Sequence, residues 1–173
     1  MFIELKTERL LLRALENHDV NQILFLRSDL VVNQFVERQK TKTKDEALEF
    51  IKRIQLSVSN EEVCYWSICL KTNSKLIGTI CLWNFSKELN KAEVGYDLHP
   101  DFHGKGIMSE ALRAVLEFGF QSLNLNQIDA YTQYDNLSSV YLLKKFGFKH
   151  QSERIDDENS KNLIFVLENR NLE

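Results

Sequence analysis

The stretch Asp101-Phe102-His103-Gly104-Lys105-Gly106-Ile107-Met108 decides how this chain is read. It follows a run rich in strand formers, Ala92 to Leu98 (AEVGYDL), whose end is marked by His99-Pro100. It precedes an apolar-periodic segment, Ile107 to Leu123, with Met108, Ala111, Leu112, Val115 and Leu116 on one side. The unit is therefore strand, glycine loop, helix. Gly104 and Gly106 lack a Cβ, so the loop is free to curl with successive N–H groups inward. The helix that begins near Ile107 adds unpaired amide donors and the positive end of its dipole. Such an arrangement binds phosphate groups. A dinucleotide fingerprint would place a third glycine where this chain has Ser109, and a Walker loop would read Gly-Lys-Ser/Thr where it reads Gly-Lys-Gly, so neither nucleotide motif fits.

Working outward, Arg9 to Leu15 reads as an opening strand and Asn17 to Arg27 as a helix. Thr43-Lys44-Asp45-Glu46 has the pattern of a capping box before a helix faced by Ala47, Leu48, Ile51, Ile54 and Val58. Val63 to Leu70 and Leu76 to Phe85 read as strands of a hairpin joined by the polar link 71–75. Ile128 to Thr132 is a further strand, and Leu137 to Phe146 a helix that Asp135 or Asn136 can cap and Gly147 can end. Phe148 to Ile155 and Leu163 to Leu167 are expected as a closing pair of strands around the turn Asp156-Asp157-Glu158-Asn159. The class is α+β, a single unit over residues 1–173 without repeats or low-complexity tracts.

The 173 residues carry 22 Lys plus Arg against 25 Asp plus Glu, a net charge of −3, which argues against duplex nucleic acid as the main partner. Cys64, Cys69 and Cys81 form no C-x-x-C pair, so neither a disulfide framework nor a zinc knuckle is expected. His18, His99, His103 and His150 show no metal-ligand spacing, and no metal site is expected. No apolar run has the length of a signal peptide or a membrane span, and the expected location is the cytoplasm, as a monomer or homodimer.

The glycine loop, the Ser109-Glu110-Ala111-Leu112 run after it, and Asn136-x-x-Ser139 on a helix ending in Lys145-Phe146-Gly147-Phe148 resemble the GNAT superfamily of acyl-CoA-dependent N-acyltransferases. Ala92-Glu93-Val94-Gly95-Tyr96, His103 beside Gly104, Met108-Ser109-Glu110-Ala111 and the opening Thr7-Glu8-Arg9-Leu10-Leu11-Leu12-Arg13 look like its ribosomal-protein N-terminal acetyltransferase (Rim-type) branch. The resemblance implies a central, mixed, mostly antiparallel sheet flanked by helices, with a cleft for acetyl-CoA between splayed central strands. It implies transfer of an acetyl group to a primary amine: a ribosomal or other protein N-terminus, a polyamine, an amino sugar or an aminoglycoside. A non-catalytic CoA-binding sensor or scaffold is the alternative of another class.

On that resemblance the diphosphate faces the backbone of Gly104, Lys105, Gly106, Ile107 and Met108, with His103 and Ser109 beside it. The pantetheine arm runs along Asp97, Leu98 and His99 like an added strand, and Asn136 bonds its amide or the thioester region. Glu93 is the candidate base for the attacking amine, acting through water, and Ser139 the candidate donor to the departing sulfur. Two positions depart from the family pattern. Asp101 stands where Gln or Arg often opens the glycine loop, and Leu143 stands where many members carry the tyrosine that protonates the leaving thiolate. Tyr141, about 200° away around the helix, does not replace it.

Overall fold

The computed structural model describes residues 2–169. Eight strands form one sheet in the order β1-β2-β3-β4-β5-β6-β8-β7, with β1 Leu5–Lys6, β2 Leu10–Arg13, β3 Cys64–Leu70, β4 Asn73–Ser86, β5 Lys91–Leu98, β6 Gln127–Gln133, β7 Lys149–His150 and β8 Asn162–Glu168. Every neighbouring pair is antiparallel except β5 and β6, which are parallel. The helices are α1 Val20–Ser28, α2 Lys44–Ser59, α3 Ile107–Glu117 and α4 Leu137–Lys145. None of the described helices is long and apolar enough to cross a membrane.

Alternation along the strands divides the core between the two faces. On β3, Trp66 and Ile68 turn to the face covered by α3, where they join Leu82, Leu112, Val115 and Phe165; Tyr65 and Cys69 turn to the face covered by α1 and α2, with Ile23, Leu26, Ala47 and Ile51. Helix α3 supplies six buried apolar residues from Ile107 to Leu116, the stripe its periodicity predicts.

Several boundaries differ from the sequence reading, each for a local reason. The opening strand is shorter, Leu10–Arg13, and the unforeseen β1 pairs with it, Leu5 opposite Leu12. The β3–β4 hairpin turns at Lys71-Thr72, because the polar residues Asn73 to Lys75 already belong to β4, with Asn73 opposite Leu70. The capping box is split: Thr43 Oγ1 accepts from the Glu46 amide at 3.2 Å, while the Glu46 carboxylate reaches past it to the Lys42 amide at 2.6 Å. The α-helical part of the segment after the glycine loop ends at Glu117, and a wider turn over Phe118–Ser122 follows, closed by Leu123 N–H on the Phe118 carbonyl at 3.1 Å. The strand expected over Phe148 to Ile155 shrinks to Lys149–His150, because after the Gln151 N–H bond to the Ile164 carbonyl residues 152–160 leave the sheet. That connection is pinned by Arg154, which donates to Asp129 and Tyr131, and by Asn162, which donates to Asp156.

Candidate active site

The parallel ladder between β5 and β6 holds for only three residue pairs, from Lys91 opposite Gln127 to Glu93 opposite Asp129. Beyond them the two strands carry on without pairing to each other, β5 keeping β4 and β6 keeping β8 on their outer edges. A cleft of about 330 Å³ opens in the gap, floored by Val94, Gly95 and Tyr96 on one strand and by Ala130, Tyr131 and Thr132 on the other. Two main-chain contacts fix which groups face it. Asp97 turns its carbonyl toward β4, 2.6 Å from where a Cβ on Gly78 would stand, and His99 N–H donates to the Ile77 carbonyl at 2.8 Å. Alternation then turns the main chain of Leu98 to the open edge, where its carbonyl meets His103 Nε2 at 3.0 Å. Of the expected stretch Asp97, Leu98 and His99, the main chain of Leu98 faces the gap, with that of Tyr96 next in phase.

At the end of β5, Pro100 to Phe102 form a single tight turn, and His99 Nδ1 accepts from the Asp101 amide at 3.2 Å. Gly104 and Gly106 both adopt left-handed backbone, φ 70° and 72°, and Gly106 is the N-cap of α3. Nothing stands within 4 Å of a Cβ placed on Gly104, so the loop backbone is open to approach. The first-turn amides from Ile107 to Ser109 have no partner within an α-helix. The loop is held from behind: Arg9 Nη1 donates to the Lys105 carbonyl at 3.0 Å. Glu110 on the first turns of α3 accepts from Thr7 Oγ1 at 2.5 Å, from the Arg9 amide at 2.7 Å and from Arg9 Nε at 2.6 Å. These donors outweigh burial, and the Glu110 carboxyl lies below its ordinary pKa. Such a cradle fits the diphosphate of CoA: backbone donors, a helix N-terminus and open space beside Gly104.

The other wall comes from α4 and from two connections. Asn136 caps α4 by accepting from the Ser139 amide at 3.3 Å, and both residues line the cleft. Gly147, at φ 86°, ends the helix, with Phe148 N–H returning to the Leu143 carbonyl at 3.1 Å. Leu143 itself is fully buried in the core, so α4 presents hydrocarbon where a tyrosine would stand. The connection between α1 and α2 contributes Phe35, Val36 and Glu37, and the one between β7 and β8 contributes Asp156, Glu158 and Asn159. Among the described residues, no Lys, Arg or His lines the cleft.

Glu93 stands at the point where the ladder ends, two residues before Gly95 and just outside the lining of the cleft. Burial pushes its carboxyl above the ordinary glutamate value; Asn84 Nδ2, donating at 2.6 Å, opposes that shift and the nearby Asp129 adds to it. Asp129, opposite it on β6, is compensated by Lys91 at 3.3 Å and Arg154 at 3.0 Å. Lys144 and Lys145 occupy the last turn of α4. The described residues contain no cluster of three or more His, Cys, Asp or Glu placed to hold a metal ion.

Residues 9–149 match the acetyltransferase (GNAT) domain family. The chain belongs to this family. It is 32% identical to the uncharacterized N-acetyltransferase p20 of Bacillus licheniformis over 91% of its own length and 88% of that protein's. Among solved structures it superposes on a GNAT-family acetyltransferase from Bacillus anthracis with a TM-score of 0.80 at 23% identity, covering 96% of this chain and 99% of that one. It superposes on ribosomal-protein-S5-alanine acetyltransferase from Vibrio fischeri with a TM-score of 0.82 at 20% identity, covering 99% of each chain. The sheet flanked by four helices is the GNAT fold, and the chain is an acetyl-CoA-dependent N-acetyltransferase. The ribosomal-protein branch is matched here at the level of fold.

Sequence reasoning singled out neither Tyr96 nor the carboxylates of the two connections. Tyr96 Oη lies 2.7 Å from Ser139 Oγ across the cleft. Its strand alternation was legible, but its partner, 43 residues away, was not. The long polar stretch between β7 and β8 was the available signal for Asp156 and Glu158, and it reads equally as a solvent-exposed turn.

Proposed function

We propose that this acetyltransferase acylates a primary amine by direct attack on the acetyl-CoA thioester in the cleft between β5 and β6, and that the acceptor carries positive charge beyond the reacting ammonium. The observation that carries the reading is the lining of the cleft: Glu37, Asp156 and Glu158 stand on its rim connections, with no basic side chain among the described residues that line it. A cationic acceptor is drawn to such a wall, and an anionic one is repelled.

The geometry supports the following roles. The backbone of Gly104 to Met108 holds the diphosphate, with His103, Lys105 and Ser109 around it. The open edge of β5 at Leu98 runs beside the pantetheine arm, and Asn136 orients the thioester end. Glu93, with its carboxyl pushed up by burial, accepts a proton from the acceptor through water, and Ser139 hydrogen-bonds the sulfur as the C–S bond breaks. An α-amino group, with a pKa near about 7.7 to 8.0, asks little of that base, whereas an alkyl ammonium near about 10.4 asks more. A peptide N-terminus followed by basic residues, a polyamine and an amino sugar all meet the charge requirement.

The test is an acceptor screen by mass spectrometry with acetyl-CoA present, across basic and acidic peptides with free N-termini, polyamines, amino sugars and neutral primary amines. Gain of one acetyl group on cationic members, with release of CoA, is the expected result. Preference for acidic or neutral acceptors would overturn the charge argument, and acetyl-CoA binding without turnover on any amine would overturn the reading as a whole.

A further inference from the structure

The roles assigned above leave Tyr96 without one. It sits on β5 with its ring in the floor of the cleft, and its hydroxyl is the one hydrogen-bond partner that Ser139 Oγ has among the described residues. Two hydroxyls 2.7 Å apart share a single hydrogen, and either can supply it. The direction decides what is left for the substrate. If Ser139 donates, its proton is spent on the phenol; if Tyr96 donates, the serine proton is free to point into the cleft.

Chemistry favours the second arrangement. A phenol is a far stronger acid than an alkyl alcohol, hence the better donor of the pair, and the serine oxygen is the better acceptor. Burial keeps that phenol protonated, pushing it up to about 12, so it has a hydrogen to donate. The Ser139 amide is separately engaged by Asn136 Oδ1, which fixes the start of α4 and with it the position of Oγ. One turn further on, Leu143 is buried in the core, so α4 offers the sulfur no other hydroxyl there.

We propose that Tyr96 is a positioning residue for the leaving group: by donating its phenolic hydrogen to Ser139 Oγ, it directs the Ser139 O–H at the sulfur of the thioester. In the step itself the acceptor nitrogen forms a bond to the acetyl carbon, the C–S bond breaks, and its electron pair goes to sulfur, where the Ser139 O–H meets it. Both hydroxyls keep their protons. An acceptor that enters as an ammonium and leaves as an amide sheds two protons, of which one ends on the thiol and the other in solvent.

This inference rests on the reading of Ser139 given above, and a double-mutant cycle separates the two. Tyr96→Phe, Ser139→Ala and the double variant are compared for kcat, for KM of both substrates, for acetyl-CoA affinity by calorimetry and for melting temperature. Tyr96→Phe is expected to lower kcat about 10-fold with acetyl-CoA affinity within about two-fold of the parent, and the double variant is expected to be no slower than Ser139→Ala alone. Tyr96→3-fluorotyrosine, which keeps the hydroxyl, is expected to hold kcat within about two-fold of the parent. If Ser139→Ala is slow while Tyr96→Phe keeps full turnover, or if the two losses multiply, the positioning role is overturned and the reading of Ser139 stands. If Tyr96→Phe loses acetyl-CoA affinity or stability in step with kcat, the residue is structural and the proposal fails. Full turnover in Ser139→Ala removes the reading of Ser139 and the proposal together.

Discussion

Arg38 Nη1 donates to Asp97 Oδ2 at 2.7 Å, tying the long connection between α1 and α2 to the strand that leads into the glycine loop. The same guanidinium holds Asn33 Oδ1 at 2.7 Å and the Leu26 carbonyl at 3.1 Å, so one side chain gathers three elements. Just before it in the chain, Phe35, Val36 and Glu37 face the cleft. The Phe35–Glu37 wall of the cleft and the β5 strand are therefore tied together by a mostly buried ion pair.

Replacing Arg38 with Met keeps the apolar stem and removes the fork. The wall it anchors lines the acceptor end, so the KM for the acceptor is expected to rise about 10-fold while that for acetyl-CoA stays within about two-fold. Steady-state kinetics with each substrate varied in turn checks this. A rise confined to acetyl-CoA would show that the tie serves β5 rather than the wall.

Glu110 is the stability test of the loop's support. Its carboxyl lies below its ordinary value because Thr7 and Arg9 donors outweigh burial. A depressed pKa means that this contribution is fully present above the ordinary glutamate range and is lost as pH falls through the folded-state pKa. Glu110→Gln is expected to lower stability at pH 7 by about 1–2 kcal/mol, the low end of the scale of hydrogen bonds to a charged group because the Arg9 side chain is 45% exposed and screened by water. The gap should close as the pH is taken below the range in which the carboxylate ionises. Thermal melts of both proteins along a pH series measure it, and a gap that persists in acid would assign the loss to packing.

The glycine loop separates backbone from charge. Gly106→Val puts a branched side chain at φ 72°, where β-branched residues are strained, and its Cβ would stand 3.5 Å from the Arg9 guanidinium that holds the loop, so the conformation that presents the amides at the start of α3 is disturbed. Lys105→Ala removes one screened surface charge, whose nitrogen lies 5.5 Å from the centre of the Phe102 ring. Acetyl-CoA affinity, measured by calorimetry, is expected to fall at least about 10-fold in the first and less than about three-fold in the second. Equal losses would place the binding energy in the lysine.

Much of this architecture was legible because local physics enforces it. Strand formers at Val63 to Leu70, the two glycines at 104 and 106, and the Asn136 and Gly147 helix ends each act through near neighbours, and each stands where periodicity and capping put it. What was illegible depends on residues far apart in the chain. Tyr96 meets Ser139 only because the β5–β6 ladder stops at Glu93 and leaves a gap that α4 borders. Residues 152–160 leave the sheet and are held beside it by Arg154, which finds Asp129, a buried carboxylate on β6. Alternation did place Glu93, Gly95 and Asp97 on one face of β5, in continuous register with Trp83, Cys81 and Thr79 of β4, but it could not show that Asp97 would be taken by Arg38.

The proposed catalytic division between Glu93 and Ser139 gives the sharpest outcome. Burial raises the Glu93 carboxyl above the ordinary glutamate value, which brings it closer to the acceptor it is to deprotonate and makes it a better base than a solvated carboxylate. Glu93→Gln preserves the shape and the acceptor atom for Asn84, so acetyl-CoA affinity is expected to persist while turnover at neutral pH falls about 10²-fold. That loss should shrink at high pH, where more of the amine is already neutral, and most for an acceptor of high pKa. Ser139→Ala should show no such rescue, because help to the thiolate does not depend on the acceptor's protonation. Stability supplies an independent check whose sign follows from the same shift. A raised carboxyl pKa means the folded state holds the proton more tightly than the unfolded chain, so stability is lost as pH rises through the folded pKa. The neutral glutamine escapes that loss, and Glu93→Gln is expected to melt higher than the parent at pH 7 and no higher once the pH is below the ordinary glutamate value. A variant with full turnover at neutral pH would remove Glu93 from the mechanism, and a variant that melts lower at pH 7 would show that its bond to Asn84, rather than its burial, governs its state.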